Sequence, residues 1–236
     1  MNDEDQEQPD LFLFLASTAH DMKNSISVLS GTLEGLLADA PDKTAAAFPS
    51  MAHMLYETRR LNNNLIQLLA LYKEVGKPAY PFDPQQQSVQ DTIEQVLAQN
   101  RVLLDCKNIT IGTDFDPSLL WVYDEDLVLG VIGHAINNAV HYTQDKIALI
   151  VREHEGMLEL RVEDNGRGYP AAMLERGNEQ TGAWTRGVNF ASNSTALGLH
   201  FSAAAATMHK HRGVTGRIAL ENGGTFGGGC FVLRLP

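Results

Sequence analysis

His20, Asp21 and Asn24 place an imidazole, a carboxylate and an amide within one helical turn, in a segment otherwise patterned to pack. An imidazole on a helix surface is a capable nucleophile, and Asp21 can hold the tautomer that leaves the other ring nitrogen free. A second cluster follows the alternating run Leu158–Glu163, where the chain reads Asp164-Asn165-Gly166-Arg167-Gly168. A carboxylate fixed at a strand end can accept a hydrogen bond from an exocyclic amine such as that of adenine. The two glycines let backbone approach a ligand closely. Asn-Gly is also a common turn dipeptide, so a plain turn is the competing reading. A third cluster is Asn137-Asn138-Ala139 inside an apolar helical stretch. Asparagine is costly there if buried unpaired, but an amide oxygen facing a cleft is a good hard ligand for Mg²⁺. A satisfied core asparagine is the alternative.

The elements that must position these groups fall into two parts. Leu11, Leu15, Thr18, Met22, Ser25, Leu29, Thr32 and Leu36 alternate steps of four and three, the seam of a helix packed lengthwise on a partner. His20 and Asn24 fall off that seam and share one outward face. The pattern predicts a helix over 9–39, a break at Ala38–Asp42, and a second helix over 48–75 whose ladder is Met54, Thr58, Leu61, Leu65, Leu68 and Tyr72. Two such helices leave apolar edges open, which a homodimer forming a four-helix bundle would close. Gly76–Pro84 carries Pro78, Pro81 and Pro84 and reads as a linker.

Beyond it the periodicity predicts helices over 88–105, 125–142 and 197–211. Strands are expected over 109–115, 119–123, 147–153, 158–163, 216–221 and 230–235, with a glycine- and asparagine-rich loop over 165–195. The fold class is therefore α+β: a helical hairpin over 1–75, a linker over 76–84, and an α/β sandwich over 85–236.

Bulk properties narrow the classes. The chain has 236 residues, 44% of them hydrophobic, and a formal charge of −11 without a run of Lys or Arg. That argues for a folded protein and against nucleic acid or an anionic membrane as the main partner. The N-terminus is acidic where a secretory leader is basic, and no apolar run reaches the ~20 residues needed to span a bilayer, so a soluble cytoplasmic chain is expected. Cys106 and Cys230 have no motif spacing and suit core positions.

Taken together, the clusters resemble the transmitter core of two-component sensor histidine kinases, a dimerisation and phosphotransfer hairpin followed by an ATP-binding domain of the Hsp90, gyrase and MutL type. Ser17–Asn24 resembles the phospho-acceptor box. His134–Thr143 is similar to the asparagine box, with Asn138 as the metal-binding residue and His141 and Tyr142 on the same box. Asp164–Gly168 matches the first glycine box, whose aspartate recognises adenine, with Gly166 and Gly168 as its glycines. Ser194–Leu199 aligns with the second glycine box through Gly198, and the closing run Gly227–Pro236 resembles the family's last strand.

The resemblance implies ATP and Mg²⁺ as cofactors and autophosphorylation of His20, with Asp21 orienting the imidazole or taking its proton. It further implies phosphoryl transfer to a response-regulator receiver domain, phosphatase action through Asn24, and a separate sensor protein docking on the hairpin as one route of regulation. The chain departs from the pattern at His134, where an asparagine is usual, at Ser25, where a proline is common, and at Ser194 and Ala196, where glycines are usual. Arg176 and Arg186 are candidates to neutralise phosphate charge. A histidine phosphotransfer protein with a degenerate ATP site is the main rival. A binding module or phosphatase using the hairpin as an interaction surface is the second.

Overall fold

The structure is a computed structural model. It describes residues 82–178 and 194–236, together with helical positions 26, 28–33, 35, 36, 51, 54, 57, 58 and 61. The chain divides into two units, Met1–Pro78 and Ala79–Pro236. In the first, Thr32 and Thr58 donate their hydroxyls to the carbonyls four residues back, Val28 and Met54, at 2.9 and 2.6 Å. Val28, Leu29, Leu36, Met54 and Leu61 are exposed. His20, Asp21 and Asn24 lie outside the described residues.

The second unit opens with strand β1 (Gln85–Ser88) and helix α1 (Val89–Cys106), followed by β2 (Thr110–Phe115) and β3 (Leu120–Tyr123). Ser88 caps α1, its hydroxyl accepting from the Asp91 N–H at 3.2 Å. Helix α2 (Glu125–Tyr142) starts at Asp124, whose carboxylate accepts from the Leu127 N–H at 3.0 Å. Strands β4 (Lys146–His154) and β5 (Met157–Asp164) form a hairpin through Glu155 and Gly156. Both turn residues have positive φ, 53° and 72°. This is the backbone that a tight two-residue connection requires.

Helix α3 (Ala171–Asn178) and helix α4 (Ser194–Met208) come next, then a short hairpin of β6 (Lys210–His211) and β7 (Val214–Thr215). Strands β8 (Arg217–Gly223) and β9 (Gly228–Leu235) end the chain.

Five strands form one sheet in the order β2-β4-β5-β9-β8, with β2 parallel to β4 and the remaining pairs antiparallel. Residues paired directly across neighbouring strands share a face. The register therefore puts Ile147, Leu149, Val151, Leu158, Leu160, Val162, Phe231, Leu233, Leu235, Ile218 and Leu220 on one side, all buried. Helices α1, α2 and α4 bury their own apolar residues there, among them Ile93, Val96, Ile132, Ile136, Leu199 and Phe201. The opposite side carries an ionic ladder. Arg161 donates to Glu163 at 2.9 Å and to Glu221 at 3.0 Å, and Arg234 to Glu159 at 2.7 Å. Burial opposes ionisation of Glu163, but the Thr225 N–H and the Arg161 guanidinium outweigh it and hold the carboxyl below its usual range.

Three departures from the sequence expectation have physical causes. The third expected helix, over 197–211, runs instead from Ser194 to Met208. Its end is set by His209, whose N–H reaches the Ala206 carbonyl at 3.0 Å and whose Nδ1 donates to the Ala205 carbonyl at 2.8 Å. Lys210–Thr215 then form the β6–β7 hairpin through Arg212 and Gly213, at φ 48° and 83°. Within the expected loop over 165–195, Pro170 starts a helix, its carbonyl accepting from the Met173 and Leu174 N–H groups. Gln85–Ser88 are a strand because they pair with β3, although glutamine has no strong strand preference of its own.

Candidate nucleotide site

The register of β5 sets the position of Asp164. It lies on the same side as Leu158, Leu160 and Val162, at the strand's last residue, 7% exposed. Its Oδ1 accepts the Gly166 N–H at 2.7 Å and the Gly229 N–H at 3.3 Å. Among the described residues Oδ2 takes no hydrogen bond. A buried carboxylate with one oxygen satisfied and the other open is suited to a donor brought by a ligand.

Glycine is required around it by close approach. A Cβ on Gly166 would stand 2.3 Å from the Tyr142 carbonyl oxygen, and one on Gly228 2.3 Å from the Asp164 carbonyl oxygen. Gly168 combines a φ of 77° with contact to the Asn222 amide, 2.7 Å from where its Cβ would be. Asn222 in turn holds Tyr169 at both backbone groups, accepting from its N–H at 2.7 Å and donating to its carbonyl at 2.9 Å.

Asn165 is no plain turn residue. Its Oδ1 accepts from the Thr143 hydroxyl at 2.6 Å and from the N–H groups of Gln144, Asp145 and Lys146, each at 3.1 Å. Its Nδ2 donates to Asp145 Oδ1 at 2.7 Å. This amide ties the turn after α2 to the Asp164 loop. Sequence reasoning missed both Asn165 and Asn222 as organisers, since an asparagine beside glycine carries the same signal whether it clamps or merely turns.

Helix α2 supplies the other groups. Asn138, His141 and Tyr142 follow at helical spacing. Asn138 is half-buried, while His141 and Tyr142 are exposed with their rings 5.1 Å apart. Arg167 from the glycine loop lies over the Tyr142 ring at 5.9 Å. Asn138 Nδ2 is 3.2 Å from His134 Nε2. His134 is buried, and that burial lowers its pKa to about 4, so the ring is neutral at ordinary pH. Gly198 in α4 is buried against this ring, a Cβ there falling 1.8 Å from Nε2. The structure thus gathers Asp164, Gly166, Gly168, His141 and Tyr142 at one end of α2 and places Gly198 on His134, one turn before Asn138. The side chains of Arg176 and Arg186 lie outside the described residues. Cys106 is half-buried and Cys230 buried, and burial pushes the Cys230 thiol up to about 12.

The residues fit a nucleotide better than a metal centre of their own. Among the described residues no three His, Cys, Asp or Glu side chains converge on a cation site. A Mg²⁺ ion here would depend on the Asn138 amide and on phosphate oxygens, as the ion commonly does.

A mixed sheet with helices on one face, a glycine-cupped carboxylate at a strand end and an amide-bearing helix tied to the same loop are suited to a nucleotide. Residues 123–236 match the model of the histidine kinase-, DNA gyrase B- and HSP90-like ATPase family. The sensor-like histidine kinase SenX3 of Mycolicibacterium smegmatis is 27% identical over 227 residues, which cover 94% of this chain and 56% of that protein. The sensor protein SrrB of Staphylococcus aureus is 25% identical over 230 residues, covering 94% of this chain and 37% of that protein. The chain therefore spans about half, or less, of the length of these curated relatives.

Among solved structures, the catalytic domain of the histidine kinase ThkA aligns with a TM-score of 0.54 at 18% identity, covering 65% of this chain and 95% of that one. The Acinetobacter baumannii histidine kinase AdeS aligns with a TM-score of 0.54 at 17% identity, covering 92% and 96%. At these identities the likeness shows the fold. Among the described residues no helix is long and apolar enough to cross a membrane.

Proposed function

We propose that this chain is an ATP-dependent protein-histidine kinase of a two-component system, phosphorylating itself on His20 and passing the phosphoryl group to an aspartate of a response-regulator receiver domain. The observation that carries the reading is Asp164, a buried carboxylate with Oδ1 held by two glycine amides and Oδ2 open. The match of residues 123–236 to an ATPase family, and sensor histidine kinases among the similar proteins, support the same conclusion.

In this reading Asp164 Oδ2 accepts the adenine amino group, and Gly166 and Gly168 let backbone lie close to the base. Asn138 would hold Mg²⁺, whose chemistry there would be to neutralise phosphate charge. The neutral imidazole of His20 attacks the γ-phosphorus in line. The bond to the β,γ-bridging oxygen breaks, ADP leaves, and the single N–H proton, on the ring nitrogen that did not attack, passes to Asp21. Positioning and charge neutralisation dominate such a transfer. Asn24 positions water for the reverse duty, phosphatase action on the partner. The exposed seam residues Leu29, Leu36, Met54 and Leu61 support a homodimer closing the hairpin into a four-helix bundle.

Calorimetric titration of the full chain with ATP and GTP tests the site. ATP is expected to bind and GTP, which offers a carbonyl where adenine has its amine, to bind far more weakly. Asp164→Asn is expected to weaken ATP by about 10- to 100-fold, the value of a charged hydrogen bond. Equal affinity for the two nucleotides, or an unaffected Asp164→Asn, would remove the basis of the reading.

A further inference from the structure

Gly130, His134, Asn138 and Tyr142 recur every fourth residue along α2 and so lie on one ridge of that helix. Helix α4 seats on this ridge through reciprocal large and small residues. The Phe201 ring fills the space beside Gly130, where a Cβ would lie 3.2 Å from it, and the His134 ring fills the space beside Gly198. Asn138 comes one turn further along, where its amide nitrogen meets His134 Nε2 at 3.2 Å. An amide nitrogen can only donate, so Nε2 is the acceptor and the ring proton sits on Nδ1. That Nδ1 is buried and has no hydrogen-bond partner among the described residues. A histidine kept in the core with an unsatisfied nitrogen is costly, and a leucine would fill the same space without that cost. The compensating feature is the hold on Asn138, whose Oδ1 takes no hydrogen bond among the described residues.

We propose that His134 is a positioning residue of the nucleotide site. Its Nε2 fixes the Asn138 amide so that the carbonyl oxygen faces the divalent cation, and its seat on Gly198 makes that orientation depend on α4 being docked. The inference rests on the nucleotide reading above and assigns a role to a residue that departs from the family pattern. It also gives Gly198 a different duty from a phosphate contact: it is glycine because the imidazole occupies the place of its side chain.

The test is titration of the full-length chain with ATP, with and without Mg²⁺, for the wild type, His134→Gln, His134→Leu and Gly198→Ala. Magnesium is expected to tighten ATP binding in the wild type. His134→Leu and Gly198→Ala are expected to lose about tenfold of that tightening, with metal-free affinity changed by less than about twofold. His134→Gln places an acceptor at the reach of Nε2 and is expected to keep the magnesium effect. A ¹⁵N-histidine spectrum of the wild type supplies a readout independent of any ligand, with His134 as the Nδ1–H tautomer and its Nε2 resonance moved by Asn138→Ala. A His134→Leu variant with the full magnesium effect, or a proton found on Nε2, overturns the inference while leaving nucleotide binding intact. A wild type that binds no ATP in either condition overturns the nucleotide reading itself, and this inference with it.

Discussion

Acid is expected to destabilise this fold, and the size of the contribution from one buried side chain, His134, follows from the structure. Burial among α2 and α4 lowers the pKa of His134 to about 4, against 6.5 for a free imidazole. In the unfolded chain the ring takes up a proton near 6.5; in the folded chain it stays neutral until about 4. Between these values the unfolded state binds more protons, so stability rises with pH. The contribution is complete above about 6.5 and is lost as the pH falls toward 4, by about 1.4 kcal/mol per unit and about 3 kcal/mol in all.

His209 acts in the same direction, its pKa also lowered by burial, and the carboxylates of the outer ladder add losses at lower pH. The comparison that isolates His134 is therefore the wild type beside His134→Gln, which lacks the titrating group and keeps the rest. Urea unfolding can be followed through the fluorescence of Trp121, whose Nε1 donates to the Pro236 carbonyl at 3.1 Å. Measured at pH 7, 6, 5 and 4.5, the wild type is expected to lose about 2–3 kcal/mol more than His134→Gln over that span. Parallel profiles for the two proteins would refute the placement of His134 as a buried neutral imidazole.

Two further changes test the Asp164 loop. Gly166→Ala drives a methyl group to 2.3 Å from the Tyr142 carbonyl oxygen, a backbone atom that cannot swing aside. A stability loss of about 1–3 kcal/mol is expected on urea unfolding, with ATP affinity lowered at least about tenfold; unchanged ATP affinity would show that the loop does not touch the nucleotide. Asn165→Ala removes an oxygen that accepts four hydrogen bonds. Because water can reach the exposed turn, the expected cost is about 2 kcal/mol rather than the sum of four bonds. Amide exchange at Gln144, Asp145 and Lys146 is expected to accelerate, and unaltered exchange there would contradict the clamp.

Much of the second unit was legible in the sequence, for reasons visible at particular residues. Leu158, Leu160 and Val162 alternate with Glu159, Arg161 and Glu163, which both identifies β5 and tells its two faces apart. Extending that alternation by one step puts Asp164 on the helix-facing side. Glu155-Gly156 marks the β4–β5 turn because both positions take positive φ.

What escaped was set by partners distant in sequence. Gln85–Ser88 become a strand only through β3, and α4 stops at Met208 because of His209's hydrogen bonds. His134 stood out from sequence only as a departure from the family pattern. Its lodging against Gly198 and its grip on Asn138 depend on how two helices cross, which periodicity within either helix does not encode. The hairpin that would carry His20, Asp21 and Asn24 was inferred from its ladder alone, and those three residues lie outside the described ones.

The central claim is that a nucleotide held by Asp164 and Asn138 phosphorylates His20. Incubation of the full chain with γ-³²P-labelled ATP and Mg²⁺, beside His20→Gln and Asn138→Ala, tests it directly. The account predicts an acid-labile, base-stable label on the wild-type protein that is lost in both variants. A wild-type chain that binds ATP yet takes up no label as a dimer, or a label that survives His20→Gln, would contradict it.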